Sequence, residues 1–326
     1  MHLKNIAKGA LSLLPGTQKF LTRAGTGGTN SALYCYGVWL KHLTMLWANG
    51  MREMPKTLAE LGPGDSIGTG LAAMLSGVDH YVALDVIRFA HTEANLRILD
   101  ELVTLFRRRA SRPQKGWPDF DAYLDERFFP SHILTEDALA AALSDERISR
   151  IRSALLHPEA EQSEIKIRYM APWYDEQIIA KESVDVILSH SVLEHVMDVE
   201  RTHEALAQWL RPGGWMTHQV DFSSHGLSKR WNGFRAYPEW LWKLMAGRHT
   251  YLINRQPCSV HVDNMKKNGF EIRCLMKNTL PDGIGRDRLA ARWRNISDED
   301  LCCSGAFIQA QKCAVKSSLM VRLAMS

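Results

Sequence analysis

The stretch from Thr57 to Ser66 reads TLAELGPGDS and decides the fold. Its first five residues form an apolar run typical of a strand, and the segment Gly62-Pro63-Gly64 ends that run in a tight turn. A helical pattern follows and closes at Gly77. Glycines between a strand and a helix let a ligand approach the backbone, and the N–H groups at the helix start attract a carboxylate or phosphate. The stretch therefore predicts a ligand-binding loop after the first strand of an α/β sheet.

A second predicted strand, residues 81–85, ends in Asp85, 21 residues after Gly64. A carboxylate at this place suits hydrogen bonds from the ribose hydroxyls of an adenosine cofactor. The alternative is a tight turn followed by an ordinary surface aspartate. Gly62, Gly64 and Gly68 also fit a dinucleotide-type glycine pattern. However, none of the eight tyrosines is followed by lysine four residues later, as a short-chain sugar dehydrogenase requires.

Strand-like runs alternate with amphipathic helical patterns along the rest of the chain, which predicts βαβ units and a parallel sheet. We expect a single α/β domain with a doubly wound, Rossmann-like sheet. Residues 1–56 are predicted to form an N-terminal helical cap, residues 57–86 and 165–326 the core, and residues 87–164 a helical insertion with a loop at 113–130. Seven strands are expected, at residues 57–61, 81–85, 165–169, 184–188, 215–222, 270–276 and 306–311.

The composition excludes several classes of protein. The chain has 326 residues, of which 45% are hydrophobic, and a formal net charge of +4, so it is neither disordered nor basic enough to indicate nucleic-acid binding. No run reaches the roughly 18–20 apolar residues of a membrane span. The six cysteines show no metal-binding spacing, which predicts reduced thiols in a cytoplasmic protein.

The first 52 residues carry basic side chains and no acidic one, and the first acid is Glu53. One interpretation is a basic amphipathic segment that makes peripheral contact with anionic lipid or an acidic glycan. The other is a helical arm packed on its own domain. A cleaved signal peptide is not expected, because the apolar run at 10–14 stops at Pro15-Gly16.

Further segments complete a pattern that begins with ELGPG and the Leu84-Asp85 pair. These segments are SVDVILSHSVLEHV at residues 183–196 and WLRPGG at residues 209–214. In this order, over residues 57–222, they resemble the successive motifs of class I S-adenosylmethionine-dependent methyltransferases. The resemblance implies a Rossmann-like fold, methyl transfer as the activity and S-adenosylmethionine as the cofactor.

The resemblance also implies positions for individual residues. Glu60, Gly62 and Gly64 would lie along the methionine moiety of the cofactor. Asp85 would hold the ribose, and His190 would lie beside the methyl group. These five residues are the expected centre of the cofactor site.

The adenine would lie near Met170, Ala171 and Trp173. Trp173 or Trp39 could also stabilise the sulfonium by a cation–π contact. The sequence departs from the family pattern at two places. Ser66 replaces the third glycine common in the loop, and the segment Met170-Ala171 stands where the family has an acid that contacts the adenine.

A candidate base lies at the end of the predicted fifth strand. Strand alternation places His218 and Val220 on one face and Gln219 and Asp221 on the other. Asp221 is at the carboxyl end, where open α/β sheets bind their ligands, and His225 follows in a serine-rich loop. We predict that Asp221 and His225 pair as the catalytic base for a hydroxyl acceptor.

Five histidines fall between positions 190 and 225, and a metal site is the rival explanation of this cluster. The spacings 190/195 and 218/225 match no metal-binding helix face, so no metal is expected. His195 is predicted to bond to the backbone at a helix start, and His203 to be exposed to solvent.

Two aromatic stretches, residues 34–43 and 231–242, are either walls of a sugar site or ordinary core and lid packing. With the insertion, they also resemble methyltransferase-like proteins of bacterial surface-polysaccharide gene clusters, which implies a small-molecule or glycan acceptor. We predict O-methylation of a sugar or glycan. The alternatives are an NAD(P)-dependent nucleotide-sugar enzyme and a non-catalytic cofactor-binding module.

Overall fold

The computed structural model describes residues 3–12, 28–112, 129–158, 163–173, 175–247 and 252–314. Its strands are β1 (Thr57–Leu61), β2 (His80–Leu84), β3 (Lys166–Met170), β4 (Val184–His190), β5 (Leu210–Asp221), β6 (Phe270–Thr279) and β7 (Cys303–Lys312). The first helices are α1 (Leu3–Ser12), α2 (Ala32–Ala48), α3 (Gly68–Met74), α4 (Thr92–Arg107) and α5 (Glu136–Ala142). The later helices are α6 (Asp145–Leu156), α7 (Val199–Trp209), α8 (Glu239–Ala246), α9 (Cys258–Lys267) and α10 (Asp298–Cys302).

The seven strands form one sheet in the order β3-β2-β1-β4-β5-β7-β6. This confirms the prediction of a seven-stranded, Rossmann-like α/β fold. Strands β1 to β5 pair in parallel, whereas β7 runs antiparallel to both β5 and β6. The expectation of a parallel sheet is therefore corrected at β7. The carboxyl ends of β1, β2, β4 and β5 meet at one edge of the sheet, called here the carboxyl edge.

The sheet separates two apolar cores, because its central strands are buried on both faces. One core contains Trp39 and Leu43 of α2 together with side chains of α3, α4 and α6. The other contains Trp209 of α7 and Met265 of α9. Continuous apolar runs in β1 and β4 supply side chains to both cores, which holds the carboxyl edge between the two helical layers.

Helix α1 packs on α8, since Gly9 faces the backbone of Leu244 and Met245 so closely that a Cβ would collide with it. This packing favours the helical-arm interpretation of the N-terminal segment. The basic residues Lys19 and Arg23 lie outside the described residues. Within the described residues, no helix combines the length and apolar character that crossing a membrane requires.

The predicted boundaries differ most from the structure at two places. The helix expected over 135–156 is split, because Ser144 accepts a hydrogen bond from the Arg147 N–H and caps the start of α6. Strand β5 begins at Leu210 and includes the segment expected to be a turn, with a bulge in its pairing to β4. Residues 113–128 of the expected loop lie outside the described residues.

Candidate active site

The loop after β1 has a backbone that suits glycine. Gly62 has φ +62° and Gly64 has φ +75°, both in the left-handed region. A Cβ on Gly62 would lie 2.6 Å from a methyl carbon of Val192, so the loop and the turn after β4 approach each other closely. The Gly62 N–H donates to the carbonyl of Leu84 at the end of β2 (2.7 Å). The loop is thereby fixed at the carboxyl edge.

Ser66 stands where the family pattern has a third glycine, and its side chain connects the loop to the segment before α2. Its hydroxyl donates to the carbonyl of Thr29, and the Thr29 hydroxyl accepts from the N–H of Asp65 (2.9 Å). The thiol of Cys35 also donates to the Thr29 carbonyl (3.4 Å). The segment before α2 is thus attached to the glycine loop. No local pattern in the sequence indicates this attachment, because the partners are far apart in the chain.

Two buried carboxylates stand at the ends of neighbouring strands. Glu60 is 3% exposed and accepts a hydrogen bond from the Tyr81 hydroxyl (2.5 Å), and burial raises the pKa of Glu60 to about 7. Asp85 accepts from the Val86 N–H (2.7 Å) and lies 3.5 Å from the Tyr169 hydroxyl. Burial also raises the pKa of Asp85. The pair supplies hydrogen-bond acceptors on both sides of the glycine loop.

The residues expected near the adenine follow β3. Met170 is the last residue of β3, and its carbonyl accepts from the Asp85 N–H (3.0 Å), which places Met170 beside the second carboxylate. Ala171 is half-buried. Trp173 is also half-buried and packs edge-to-face on Trp209, with ring centroids 5.9 Å apart. The sequence analysis did not single out Tyr169, although this aromatic residue is the last of the predicted strand 165–169.

The suggested sulfonium contact of Trp39 is wrong. Trp39 is fully buried in the core against α3, and its indole N–H donates to the Ser76 hydroxyl (2.8 Å). Of the aromatic stretch at 34–43, Tyr36 is likewise buried, whereas Tyr34 is half-buried and lies edge-on to His190 (6.1 Å between ring centroids). The stretch is mainly core packing, and Tyr34 is the residue that borders the site.

His190 ends β4 and takes part in a buried hydrogen-bonded chain. Its Nδ1 lies 3.1 Å from Nε2 of His42, whose Nδ1 lies 2.7 Å from the Thr217 hydroxyl. Burial and the nearby Lys41 ammonium lower the pKa of both histidines well below the ordinary value. Both rings are therefore neutral at pH 7, and each carries one N–H.

The amide of Gln309 determines which atoms donate and which accept along these hydrogen bonds. The amide is satisfied when its oxygen accepts from the Thr217 hydroxyl (2.9 Å) and its nitrogen donates to the Met45 carbonyl (2.9 Å). Thr217 then accepts from His42 Nδ1, and His42 Nε2 accepts from His190 Nδ1. The Nε2 of His190, buried and without a partner among the described residues, consequently carries a lone pair.

Asp221 and His225 lie together, as predicted, at the end of β5. The Nε2 of His225 is 3.0 Å from Oδ2 of Asp221, and the Ser223 N–H donates to Oδ1 (2.8 Å). Burial alone would raise the pKa of Asp221, but the hydrogen bonds from His225 and Ser223 outweigh it and hold the pKa below its ordinary value. A charged Asp221 accepts a hydrogen bond from the Nε2–H of His225. The lone pair of His225 is then on Nδ1.

The turn after β4 adds a residue that the sequence analysis did not single out. Glu194 is 2% exposed, and neither carboxylate oxygen has a hydrogen-bond partner among the described residues. Burial raises the pKa of Glu194 well above its ordinary value. The next residue, His195, is half-buried in a short 3₁₀ helix and lies edge-to-face with His225, their ring centroids 5.1 Å apart.

The prediction that His203 is exposed is wrong. Its ring is fully buried between α7, α9 and β5, and Nε2 lies 3.5 Å from Nδ1 of His261. His218 is also buried, with Nδ1 2.7 Å from the Ser189 hydroxyl. These rings form a second histidine group on the face of the sheet opposite α2. Alternation along β5 thus separates His218 from Thr217 and Asp221, as the sequence predicted.

A cleft of about 650 Å³ lies between the start of α8 and the segment 287–294. Both belong to connections at the carboxyl edge. Its lining includes Tyr237, Glu239, Lys243, Arg288, Arg292 and Trp293. In the second aromatic stretch, Phe234 and Trp242 are buried, whereas Trp240 is 68% exposed. The buried pair is therefore core packing.

A seven-stranded sheet of this order, with a glycine turn after β1 and an acid after β2, defines a Rossmann-like protein of the adenosine-cofactor class. Residues 55–275, more than half of the chain, match the model of the methyltransferase-domain family, and the chain belongs to this family. The predictions of a methyltransferase and of S-adenosylmethionine as its cofactor are confirmed. This membership decides against the dinucleotide-dependent alternative.

Solved structures give matches of low sequence identity. A methyltransferase from Mesorhizobium loti is 14% identical, with 83% of this chain and 98% of that chain covered and a TM-score of 0.40. A methyltransferase from Methanosarcina mazei is 12% identical, with 82% and 97% covered and a TM-score of 0.39. Phosphoethanolamine N-methyltransferase 2 from Haemonchus contortus is 15% identical, with 92% and 60% covered and a TM-score of 0.43. A search of the curated proteins gave no match.

The site residues fit S-adenosylmethionine chemically. The cofactor carries a cationic sulfonium and an ammonium group and has no phosphate. The loop region offers the carboxylates of Glu60 and Asp85, and residues 60–66 contain no basic side chain. Gly62 and Gly64 give the loop a left-handed backbone that other residues rarely adopt.

Proposed function

We propose that this methyltransferase transfers a methyl group to a hydroxyl oxygen of a sugar or glycan, with Asp221 and His225 as the base. The observation that carries the proposal is the hydrogen bond between these two side chains at the carboxyl end of β5. It fixes the tautomer in which Nδ1 of His225 can receive a proton, and Asp221 stabilises the imidazolium that results.

The cofactor is proposed to lie across the glycine loop. Glu60 would accept from its amino group, Asp85 from its ribose hydroxyls, and Gly62 and Gly64 would lie along the methionine moiety. Met170, Ala171 and Trp173 would border the adenine. These assignments rest on the family motif and on the position of each residue at the carboxyl edge.

S-adenosylmethionine, when bound, supplies a methyl group that is open to in-line displacement from its sulfur. His225 would receive the proton that the acceptor hydroxyl loses when its oxygen takes the methyl group. His190 is proposed to face the methyl group, because its neutral Nε2 lone pair suits a cationic neighbour. The chain through His42 and Thr217 would keep that lone pair in place.

A sugar acceptor is supported by the surroundings of the site. Tyr34 beside His190 offers an aromatic ring, and the cleft contains charged side chains that can bond to hydroxyl or acidic groups. An extended acceptor would therefore continue from the base toward the cleft. We place this reaction in the cytoplasm, in agreement with the free thiols of all six cysteines. Peripheral membrane contact through the basic N-terminal segment is the remaining proposal on partners.

The test has two stages on the purified full-length chain. Calorimetric titration with S-adenosylhomocysteine, with NAD and NADP in parallel, measures cofactor preference. Methyl transfer from isotopically labelled S-adenosylmethionine is then screened against nucleotide sugars, short oligosaccharides, amines and acidic metabolites. Product analysis by mass spectrometry and NMR identifies the methylated atom.

We expect S-adenosylhomocysteine to bind, NAD and NADP not to bind, and the label to appear on a sugar oxygen. Label on nitrogen or carbon would overturn the proposed acceptor. Binding of S-adenosylhomocysteine without transfer to any member of the panel would favour a cofactor-binding module that acts without turnover.

A further inference from the structure

We propose that Glu194, His195 and His225 bind a divalent transition-metal ion, with Zn²⁺ as the best fit. Each side chain has one atom of a metal-ligating type, and these atoms all lie within 4.8 Å of one another. Glu194 and His195 come from the turn after β4, and His225 comes from the loop after the neighbouring strand β5. Two histidines and one glutamate are a ligand set that binds Zn²⁺ and leaves a fourth position open.

The environment of Glu194 is the strongest evidence. Its side chain is buried, and both carboxylate oxygens lack a hydrogen-bond partner within the described part of the chain. An ionised carboxylate that is buried without a partner is costly, and proteins compensate such groups with a cation or a hydrogen-bond donor. A metal ion held also by His195 and His225 would supply that compensation.

Asp221 prepares His225 for this role. It accepts a hydrogen bond from Nε2 of His225 (3.0 Å), while its other oxygen is held by the Ser223 N–H (2.8 Å). A carboxylate behind a histidine fixes the ring orientation and leaves the opposite nitrogen, here Nδ1, free to coordinate a metal. Asp221 is therefore a positioning residue for the proposed site.

The cluster is reachable from solvent and chemically selective. The side chain of His225 is 30% exposed, and His195 is half-buried, so an ion can enter and keep a water or acceptor oxygen in the open position. Imidazole ligands favour Zn²⁺ and neighbouring transition metals over Mg²⁺, which prefers oxygen ligands and retains several waters.

This proposal does not depend on the identity of the methyl acceptor. It does change the task of His225, because a nitrogen bound to a cation cannot receive a proton. In the metal-loaded protein, a hydroxyl placed on the cation would lose its proton more readily, and His225 would serve as a ligand. Methyl transfer measured with and without metal shows whether His225 acts as a base or as a ligand.

Cobalt is a suitable probe because its visible absorption reports the coordination. The full-length protein is stripped with a chelator, dialysed and titrated with Co²⁺, and Zn²⁺ is then added as a competitor. We expect one Co²⁺ per chain, visible ligand-field bands, displacement by Zn²⁺ and no comparable effect of Mg²⁺. The Asp221→Asn variant should bind about 10–100-fold more weakly, and Glu194→Gln should lose more than that.

Glu200→Gln, an exposed glutamate in α7, is the matched control and should bind as the wild type does. Binding that is unchanged in Glu194→Gln, or a thiolate-to-cobalt charge-transfer band, would overturn the proposal by assigning the ion elsewhere. An absence of one-to-one binding would do the same. If circular dichroism shows that Glu194→Gln is unfolded, His225→Asn takes its place. Titration of S-adenosylhomocysteine on the same samples keeps failure of the metal site distinct from failure of the cofactor site.

Discussion

The carboxyl edge of the sheet has two halves that are built differently. The cofactor half consists of the segment Glu60–Gly64 and Asp85, which stand at the ends of the consecutive strands β1 and β2. The histidine half consists of His190, Glu194 and His225, and it depends on partners from distant parts of the chain. The His42 ring that bonds to His190 stands 148 positions before it. The half proposed to bind a common cofactor comes from two consecutive strands and their loops, and the half proposed to face a particular acceptor needs partners from distant parts of the chain.

The largest expected effect lies in the histidine half. Asp221→Asn removes the negative charge that fixes the tautomer of His225, so methyl transfer to a sugar found in the acceptor screen should fall about 10²–10⁴-fold. The affinity for S-adenosylhomocysteine, measured by calorimetry, should not change. Asp263→Asn, an exposed site on α9, is the control and should retain full activity. An equal loss of cofactor affinity in Asp221→Asn would contradict the division into two halves.

The same division explains what could be predicted from the sequence. The strands were predictable because buried parallel strands need continuous apolar runs, and β1 is correct to the residue. The start of β5 was misplaced because Pro212 and the glycines after it have the composition of a turn, although the bulge lets them pair with β4. The composition of this segment alone does not show whether it pairs with a neighbouring strand.

In the site, the pairing of Asp221 with His225 was predictable because strand alternation and a short loop place them together. Glu194 was not, since an acidic residue in a predicted turn is ordinarily exposed and only the packing of the surrounding chain buries it. The burial of His203 was missed for the same reason. Its partner His261 lies on α9, and no local pattern links the two helices.

A second effect tests the cofactor half. Asp85→Ala removes the carboxylate proposed to accept from the ribose, and a hydrogen bond to a charged group contributes about 1.5–3 kcal/mol. The affinity for S-adenosylhomocysteine should therefore fall about 10–100-fold, while Co²⁺ binding by the histidine half stays the same. Asp137→Ala, exposed at the start of α5, is the control. Calorimetry showing unchanged affinity in Asp85→Ala would contradict the proposed ribose contact.

The contact between the halves can be tested at Gly62. Alanine there must adopt a positive φ, which costs about 1–2 kcal/mol, and its Cβ would also collide with Val192. Gly269 has φ +81°, and no atom lies within 4 Å of the place where its Cβ would stand, so Gly269→Ala should show the backbone cost alone. Chemical denaturation should therefore give a larger loss of unfolding free energy for Gly62→Ala. Equal losses would mean that the loop and the turn after β4 are not in firm contact.

The smallest expected effect is a proton released from the cofactor half. The pKa of Glu60 is raised to about 7, so its carboxyl is mostly protonated at pH 6. The ammonium group of the cofactor would favour the charged form and lower that pKa, and binding should release nearly one proton at pH 6 and almost none at pH 9. Titrations with S-adenosylhomocysteine in buffers of different ionisation enthalpy measure this number, and Glu60→Gln should abolish it.

The same raised pKa has a consequence for stability in the absence of cofactor. Because the folded protein binds this proton more tightly than the unfolded chain, whose glutamates titrate near pH 4.3, the contribution of Glu60 is fully present below that pH. It declines as the pH rises through about 7. Glu60→Gln should therefore flatten the fall in unfolding free energy across this range. An unchanged pH profile together with proton release that persists in the variant would assign the titration to another group, with Asp85 the nearest candidate.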